Sequence, residues 1–194
     1  AGGDLSEPVT QATLRFVKVF WGLSASLAYK RHFPAIDWIG SYSLYVDKIE
    51  NWYSDNVSAD WSKYRDKAMR ILQEESSLDE IVRLVGIDAL SPNDRLTMET
   101  AKSIREDYLH QDAYNEVDTY SSLFKQFSML KTIVDCDTLS REALKKDVDL
   151  DEIMSIKARE TIGRSKYIPE KDIAQFGEIQ KNVREQLNAL AAEE

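Results

Sequence analysis

"SADWSKYRDKAMRILQEE", residues 58–75, decides the fold class. Trp61, Tyr64, Ala68, Ile71 and Leu72 recur in it at helical spacing. In an α-helix that spacing gathers the five side chains into one stripe, whereas a strand would scatter them over both faces. Ser58 stands where an N-cap would open the helix. Such a stripe needs a partner face, so more helices are expected around it.

The sequence downstream supplies them. "SSLDEIVRLVG" (76–86) predicts a second, shorter helix, with Ser77 and Glu80 spaced as a capping box and Gly86 as its stop. After the turn "IDALSPNDR" (87–95), a third helix runs through "LTMETAKSIREDYLHQ" (96–111), opened by Ser91 as N-cap with Pro92 at the first helical position. Further helices are predicted over residues 118–134, 140–145, 149–164 and 169–192. The last carries Ile173, Phe176, Val183, Leu187 and Leu190 along one face, and the terminal "AAEE" is expected to fray. The pattern from about residue 57 onward is a helical bundle.

Upstream the character changes. "TLRFVKVFW" (13–21) is rich in β-branched and aromatic residues and predicts a strand. A short helix through "SASLAYKR" (24–31) follows, stopped by Pro34, which also disfavours helical backbone at Phe33. One strand and one short helix cannot bury both faces of a sheet, so residues 1–45 read as the end of a larger α/β unit and residues 46–194 as the bundle.

Composition narrows the function. The chain has 194 residues, 43% of them apolar, which is enough for a sizeable core. A net charge of −9 argues against a nucleic-acid or anionic-membrane surface, both of which need clustered cations. No apolar run of about 18 residues occurs, so no direct membrane insertion is expected. Cys136 is the single cysteine; it has no disulfide or CxxC partner, and a reducing setting is expected. His32 and His110 are far apart with no metal-ligand spacing, and no metal site is expected. Neither GxxxxGK[ST] nor GxGxxG is present, and the only adjacent glycines are Gly2 and Gly3. The chain is therefore not expected to cradle a triphosphate alone. No nucleophile, base and orienting group share a recognisable spacing, so no catalytic residue is assigned.

"EPVTQ" (7–11), "RHFPAIDW" (31–38) and "SYSLY" (41–45) resemble the distal end of the nucleotide-binding domain in the catalytic A subunit of archaeal A-type and related V-type rotary ATPases. The helices that follow resemble that subunit's C-terminal domain. The implied fold class is mainly α: a C-terminal helical bundle preceded by the last strand and helix of an α/β nucleotide-binding domain. By the same resemblance Phe33, in "HFPAI", would lie against the adenine of ATP. Tyr114, after "QDA", would close the pocket from the helical side, where relatives often carry Phe. Tyr120 is a weaker third candidate. The turn Asp88, Ala89, Leu90, Ser91, Pro92, Asn93 and Asp94 would contact the central stalk; it is poorer in carboxylates than the F-type counterpart, so shape rather than charge is expected to transmit force. The P-loop, the catalytic glutamate and the Mg²⁺ that accompanies ATP or ADP would belong to the full subunit, and the residues in hand alone would be inactive.

The implied partners are the noncatalytic B subunit and the central-stalk subunits, in an alternating hexamer of three A and three B subunits. The implied place is the cytoplasmic face of the cell membrane, held peripherally, with ATP synthesis or hydrolysis coupled to H⁺ or Na⁺ transport. The motifs favour the catalytic chain over the noncatalytic one. An alternative of another class is a free-standing helical interaction module in which the aromatics clustered in "YKRHFPAIDWIGSYSLY" (29–45) form a protein-binding patch. The strand decides between them, because a self-sufficient module completes its own sheet whereas a piece of a larger one leaves strand edges unpaired.

Overall fold

The structure, a computed structural model, describes residues 5–192; Gly2, Gly3 and the closing glutamates Glu193 and Glu194 lie outside the described residues. The chain runs through α1 (Pro8–Leu14), β1 (Val19–Leu23), α2 (Ala25–Tyr29), β2 (Ile36–Ser43) and α3 (Val46–Asn56) into α4 (Trp61–Val85) and α5 (Pro92–Ser103). A π-helical stretch, Ile104–Leu109, prolongs α5. Then follow α6 (Leu123–Leu144), α7 (Leu150–Ser155), α8 (Lys157–Arg164) and α9 (Gln175–Leu190).

Helix α6 is the axis of the bundle. Phe127, Leu130, Ile133, Val134 and Ala143 are buried on it, and so are Lys125, Thr132, Asp137 and Ser140, which leaves only a narrow stripe through Phe124, Ser128, Lys131, Asp135, Thr138 and Glu142 facing solvent. A helix buried over most of its circumference must be sheathed by others, and α4, α5 and α9 pack against it. Ile71 and Leu72 of α4, Ala101 of α5, and Val183 and Leu187 of α9 complete the core.

A buried carboxylate joins three of these helices. Asp137 has no exposed side-chain surface; it accepts hydrogen bonds from Thr100 of α5 at 3.1 Å and from Arg141 Nε at 3.0 Å, and Lys67 of α4 lies 3.1 Å away. Arg141 also donates to Thr97 at 3.0 Å, and Lys67 to Thr138 at 2.6 Å. Both cations keep part of their surface in water while the anion keeps none.

Several expected boundaries move. The stretch expected as a strand over 13–21 divides: Pro8 at the first helical position sets α1, which runs to Leu14, and the strand begins only at Val19. That strand has a partner. Antiparallel β2 pairs Phe20 with Tyr42 and Leu23 with Ile36, with an irregularity between Phe20 and Gly22. Neither β2 nor α3 was predicted, although Ile36, Trp38 and Tyr42 suit a strand and Val46, Ile49 and Tyr53 are helically spaced. Among the described residues the sheet has these two strands alone.

The expected break at Ser76–Ser77 is absent, and α4 continues for 25 residues to Gly86. Both serines are placed among strong helix formers, so the small propensity cost of serine meets no tertiary demand for a turn. Ser58 caps nothing; its hydroxyl accepts the Asp60 N–H in a turn ahead of Trp61. The helices expected over 118–134 and 140–145 are one helix, α6, capped by Ser122, whose hydroxyl accepts the Lys125 N–H. The helix expected over 149–164 is two, because Ile156 takes extended backbone and buries its side chain between α7 and α8. The last expected helix opens as a 3-10 turn at Glu170–Asp172 before α9, whose buried face is Phe176, Ile179, Val183 and Leu187.

Asp137→Ala leaves the Lys67 and Arg141 cations facing a buried site with no counter-charge. It should destabilise the bundle by about 3–5 kcal/mol, measured by urea or thermal unfolding followed by circular dichroism.

Candidate functional site

The two parts of the chain meet along a seam of backbone bonds and stacked rings. The Gln111 N–H donates to the Phe33 carbonyl at 2.7 Å, tying the "HFPAI" segment to the loop after the π-helical stretch. One residue earlier, His32 is buried, with Nε2 3.0 Å from the Arg105 carbonyl and Nδ1 3.2 Å from that of Pro34. Its ring stacks on His110 at 4.9 Å between centroids and lies tilted against Trp38 of β2 at 5.5 Å. The Phe33–Pro34 peptide is cis.

Buried ammonium groups hold the far side of the seam. Lys166 Nζ donates to the carbonyls of Glu106 and His110, which close the π-helical stretch, where cations complement the helix dipole. Lys125, fully buried, donates to the Lys166 carbonyl at 2.8 Å, and burial lowers its amine from the ordinary lysine range. Burial also pushes the Tyr108 phenol up to about 12, with Tyr53 of α3 adding to the shift.

Beyond Gln111 the loop is built from carboxylate and amide turns. Asp112 Oδ1 accepts the Tyr114 N–H, Asn115 Oδ1 accepts those of Val117 and Asp118, and buried Asp118 accepts the Asp112 N–H at 2.6 Å. The Gln111 amide closes the loop on the Asp118 carbonyl at 2.8 Å. A fixed loop thus carries Tyr114 at its tip.

The expected adenine residues lie on this seam without touching. Phe33 is 51% exposed, Tyr120 74% and Tyr114 wholly so. Among the described residues none of the ring contacts includes any of the three. Tyr120 lines a cavity of about 350 Å³ together with Pro34, Tyr108, Leu109, Gln111 and Met129. Sequence reasoning missed His32, His110 and Gln111 as seam residues. The histidines were read only for metal-ligand spacing, which is blind to a stack between distant segments.

The expected stalk-contact turn follows Gly86, whose φ of 88° is left-handed backbone that favours glycine. A 3-10 turn, Ile87–Ala89, leads to Ser91, which accepts the Asp94 N–H and donates to its carboxylate at 2.7 Å, a reciprocal cap at the start of α5. Asp88, Ala89, Ser91, Pro92 and Asn93 are exposed and Asp94 partly so, but Leu90 is buried and anchors the turn to the bundle. Ile81, Leu84, Val85 and Ile87 are exposed beside it, so the tip is more apolar than its aspartates suggest.

A helical bundle joined through such a seam to a short strand-bearing segment is the architecture of a C-terminal ATP synthase domain with a nucleotide-binding-domain remnant. The family model for the C-terminal domain of V and A type ATP synthase matches residues 50–156, more than half of the chain, and the nucleotide-binding domain model of the ATP synthase alpha/beta family matches residues 1–43. The chain belongs to the V and A type ATP synthase family. It is 61% identical over its whole length to the V-type ATP synthase alpha chain of Acetivibrio thermocellus, of which it covers 33%. It is 58% identical over its whole length to that of Clostridium novyi, covering 33%, and 58% identical to that of Thermoanaerobacter pseudethanolicus, where the match takes 97% of this chain and 32% of the relative. The chain thus spans about a third of the length of these relatives. They are bacterial, and the expected archaeal affiliation is not borne out. A solved structure described as a unique ATP synthase subunit, NeqB, from Nanoarcheaum equitans shares the fold, with a TM-score of 0.58 and 24% identity over 71% of this chain and 32% of that one.

Removing the Asp118 carboxylate takes away the acceptor that holds the Asp112 N–H. Asp118→Ala should cost about 1–3 kcal/mol in thermal unfolding and speed hydrogen exchange at Asp112 and Tyr114 ahead of the core.

Proposed function

We propose that the chain acts as part of the catalytic alpha subunit of a V/A-type rotary ATP synthase, contributing one wall of the adenine pocket and the lever that couples closure to rotation. Residues 1–45 would be the distal end of the nucleotide-binding domain and residues 46–194 the helical domain. The observation that carries this reading is the 2.7 Å bond from Gln111 N–H to the Phe33 carbonyl, which sets the "HFPAI" segment and the Tyr114 loop on one edge of the molecule.

What fits a nucleotide here is the base. Phe33 offers a half-exposed ring, Tyr114 a free one on a rigid loop, and Tyr120 lines the adjoining cavity. A purine gains about 1–3 kcal/mol from each such stacking face. Among the described residues no group of three or more His, Cys, Asp or Glu side chains is placed to hold a metal ion. In this reading phosphates and Mg²⁺ would be held by the rest of the subunit, which would supply the phosphoryl-transfer chemistry, and residues 1–194 alone would be inactive.

The lever reading draws support from stiffness. Helix α4 is continuous for 25 residues, packs against α5, and meets it through a turn anchored by Leu90 and the Ser91–Asp94 cap. Movement of the helical domain over bound nucleotide would reach residues 88–94 with little loss. The partners would be the noncatalytic B subunit, in an alternating hexamer of three A and three B subunits, and the central stalk. The assembly would sit on the cytoplasmic face of the membrane, coupling ATP synthesis or hydrolysis to H⁺ or Na⁺ transport. Among the described residues no helix is long and apolar enough to cross a membrane.

Phe33→Ala with Tyr114→Ala in the full complex should raise KM for ATP about tenfold or more, as expected for loss of one or two stacking faces, with a much smaller fall in kcat. Unchanged steady-state kinetics would rule the clamp out.

A further inference from the structure

His32 faces two acceptors. The Pro34 carbonyl stands 3.2 Å from Nδ1 and the Arg105 carbonyl 3.0 Å from Nε2. A neutral imidazole has one N–H and can satisfy one of them, whereas an imidazolium satisfies both. The Arg105 carbonyl also accepts the His110 N–H at 2.8 Å, so the same oxygen anchors both histidines. Their rings overlap at 4.9 Å and 28°.

The surroundings favour a first positive charge over a second. From the segment after α8, Lys166 bonds the His110 carbonyl; from the π-helical stretch Glu106 and from the loop Asp118 act in the opposite sense. The Arg105 guanidinium turns away to Glu75 of α4 at 2.8 Å, and its Nε is buried without a hydrogen-bond partner. Burial, His32 and Lys166 outweigh the two carboxylates at His110, and its imidazole lies below the ordinary histidine value of 6.5. A folded-state value that is depressed means that the folded chain binds fewer protons than the unfolded one. The stability this represents is present above the ordinary value and is lost as the pH falls below it and through the lower folded-state value.

We propose that the His32–His110 stack is an acid-released latch: the closed seam accommodates one proton on the pair, and a second separates the "HFPAI" segment from the π-helical stretch while the bundle stays folded. The link that opens is the Phe33–Gln111 bond, one residue beyond each ring. The latch goes beyond the nucleotide reading and does not depend on it.

The experiment follows the imidazole carbon and proton signals of both histidines, and hydrogen exchange of the Gln111 amide, in the 194-residue chain from about pH 8 to about pH 5, with far-ultraviolet circular dichroism alongside. Two proton uptakes separated by at least about one pK unit are expected. Gln111 protection should fall about tenfold, the equivalent of one pK unit, across the second uptake with helical signal unchanged. In His110→Phe, which keeps a flat ring against His32 and removes one titrating group, the second uptake should vanish and Gln111 should stay protected. Two independent titrations with flat Gln111 protection overturn the proposal. So does loss of protection together with helical signal, or loss in His110→Phe at the same pH as in the unsubstituted chain. If His110→Phe does not fold, the titrations and Gln111 exchange of the unsubstituted chain decide the matter by the same criteria.

Discussion

A single carboxylate at the centre of α6 holds the bundle's geometry. Asp137 is inaccessible to water, and removing an ion from water costs several kcal/mol unless its partners restore what the solvent supplied. Thr100, Arg141 and Lys67 restore it from three helices. Apolar packing tolerates sliding of one helix on another, but a buried anion with fixed donors does not. The relative placement of α4, α5 and α6 follows, and with it the position of the turn between α4 and α5 and the direction in which the π-helical stretch leaves α5.

From that frame the seam inherits its rigidity. The carbonyls closing the π-helical stretch point at Lys166, His32 and the His110 N–H, so acceptors that a helix end would leave unpaired are used to bind other segments. The consequence is a firm backbone joint whose side chains remain free. Phe33 and Tyr114 are exposed although the backbone of each is bonded, and Tyr120 is exposed just past the bonded loop. A ligand that stacks on such rings meets a backbone already fixed, so only the side-chain rotamers remain to be ordered.

The helical class was legible because periodicity is a local signal. Trp61, Tyr64, Ala68, Ile71 and Leu72 announced α4, and Gly86, Ser91 and Pro92 marked the turn after it, since left-handed backbone and a helix N-terminus each select a few residue types. The Ser76–Ser77 break was misread because serines cost a helix little when no neighbour asks for a turn. Strand β2 lies within the aromatic stretch 29–45, where clustered rings suit a strand face and a binding surface equally well, so local pattern does not separate the two. The motifs "HFPAI" and "QDA" led to one shared edge of the molecule, but the histidines within and beside it were judged by metal spacing alone.

What the sequence determined by itself is whatever depends on neighbours a few residues apart: helix stripes, caps, the glycine stop, and motifs specific enough to assign a family. What only the tertiary structure decided is which distant groups share one environment. Asp137 with Lys67 and Thr100, and His32 with His110 and the Arg105 carbonyl, are contacts between segments far apart in the chain. Their energetics depend on burial and on distances of about 3–5 Å, quantities that exist only once the helices have packed.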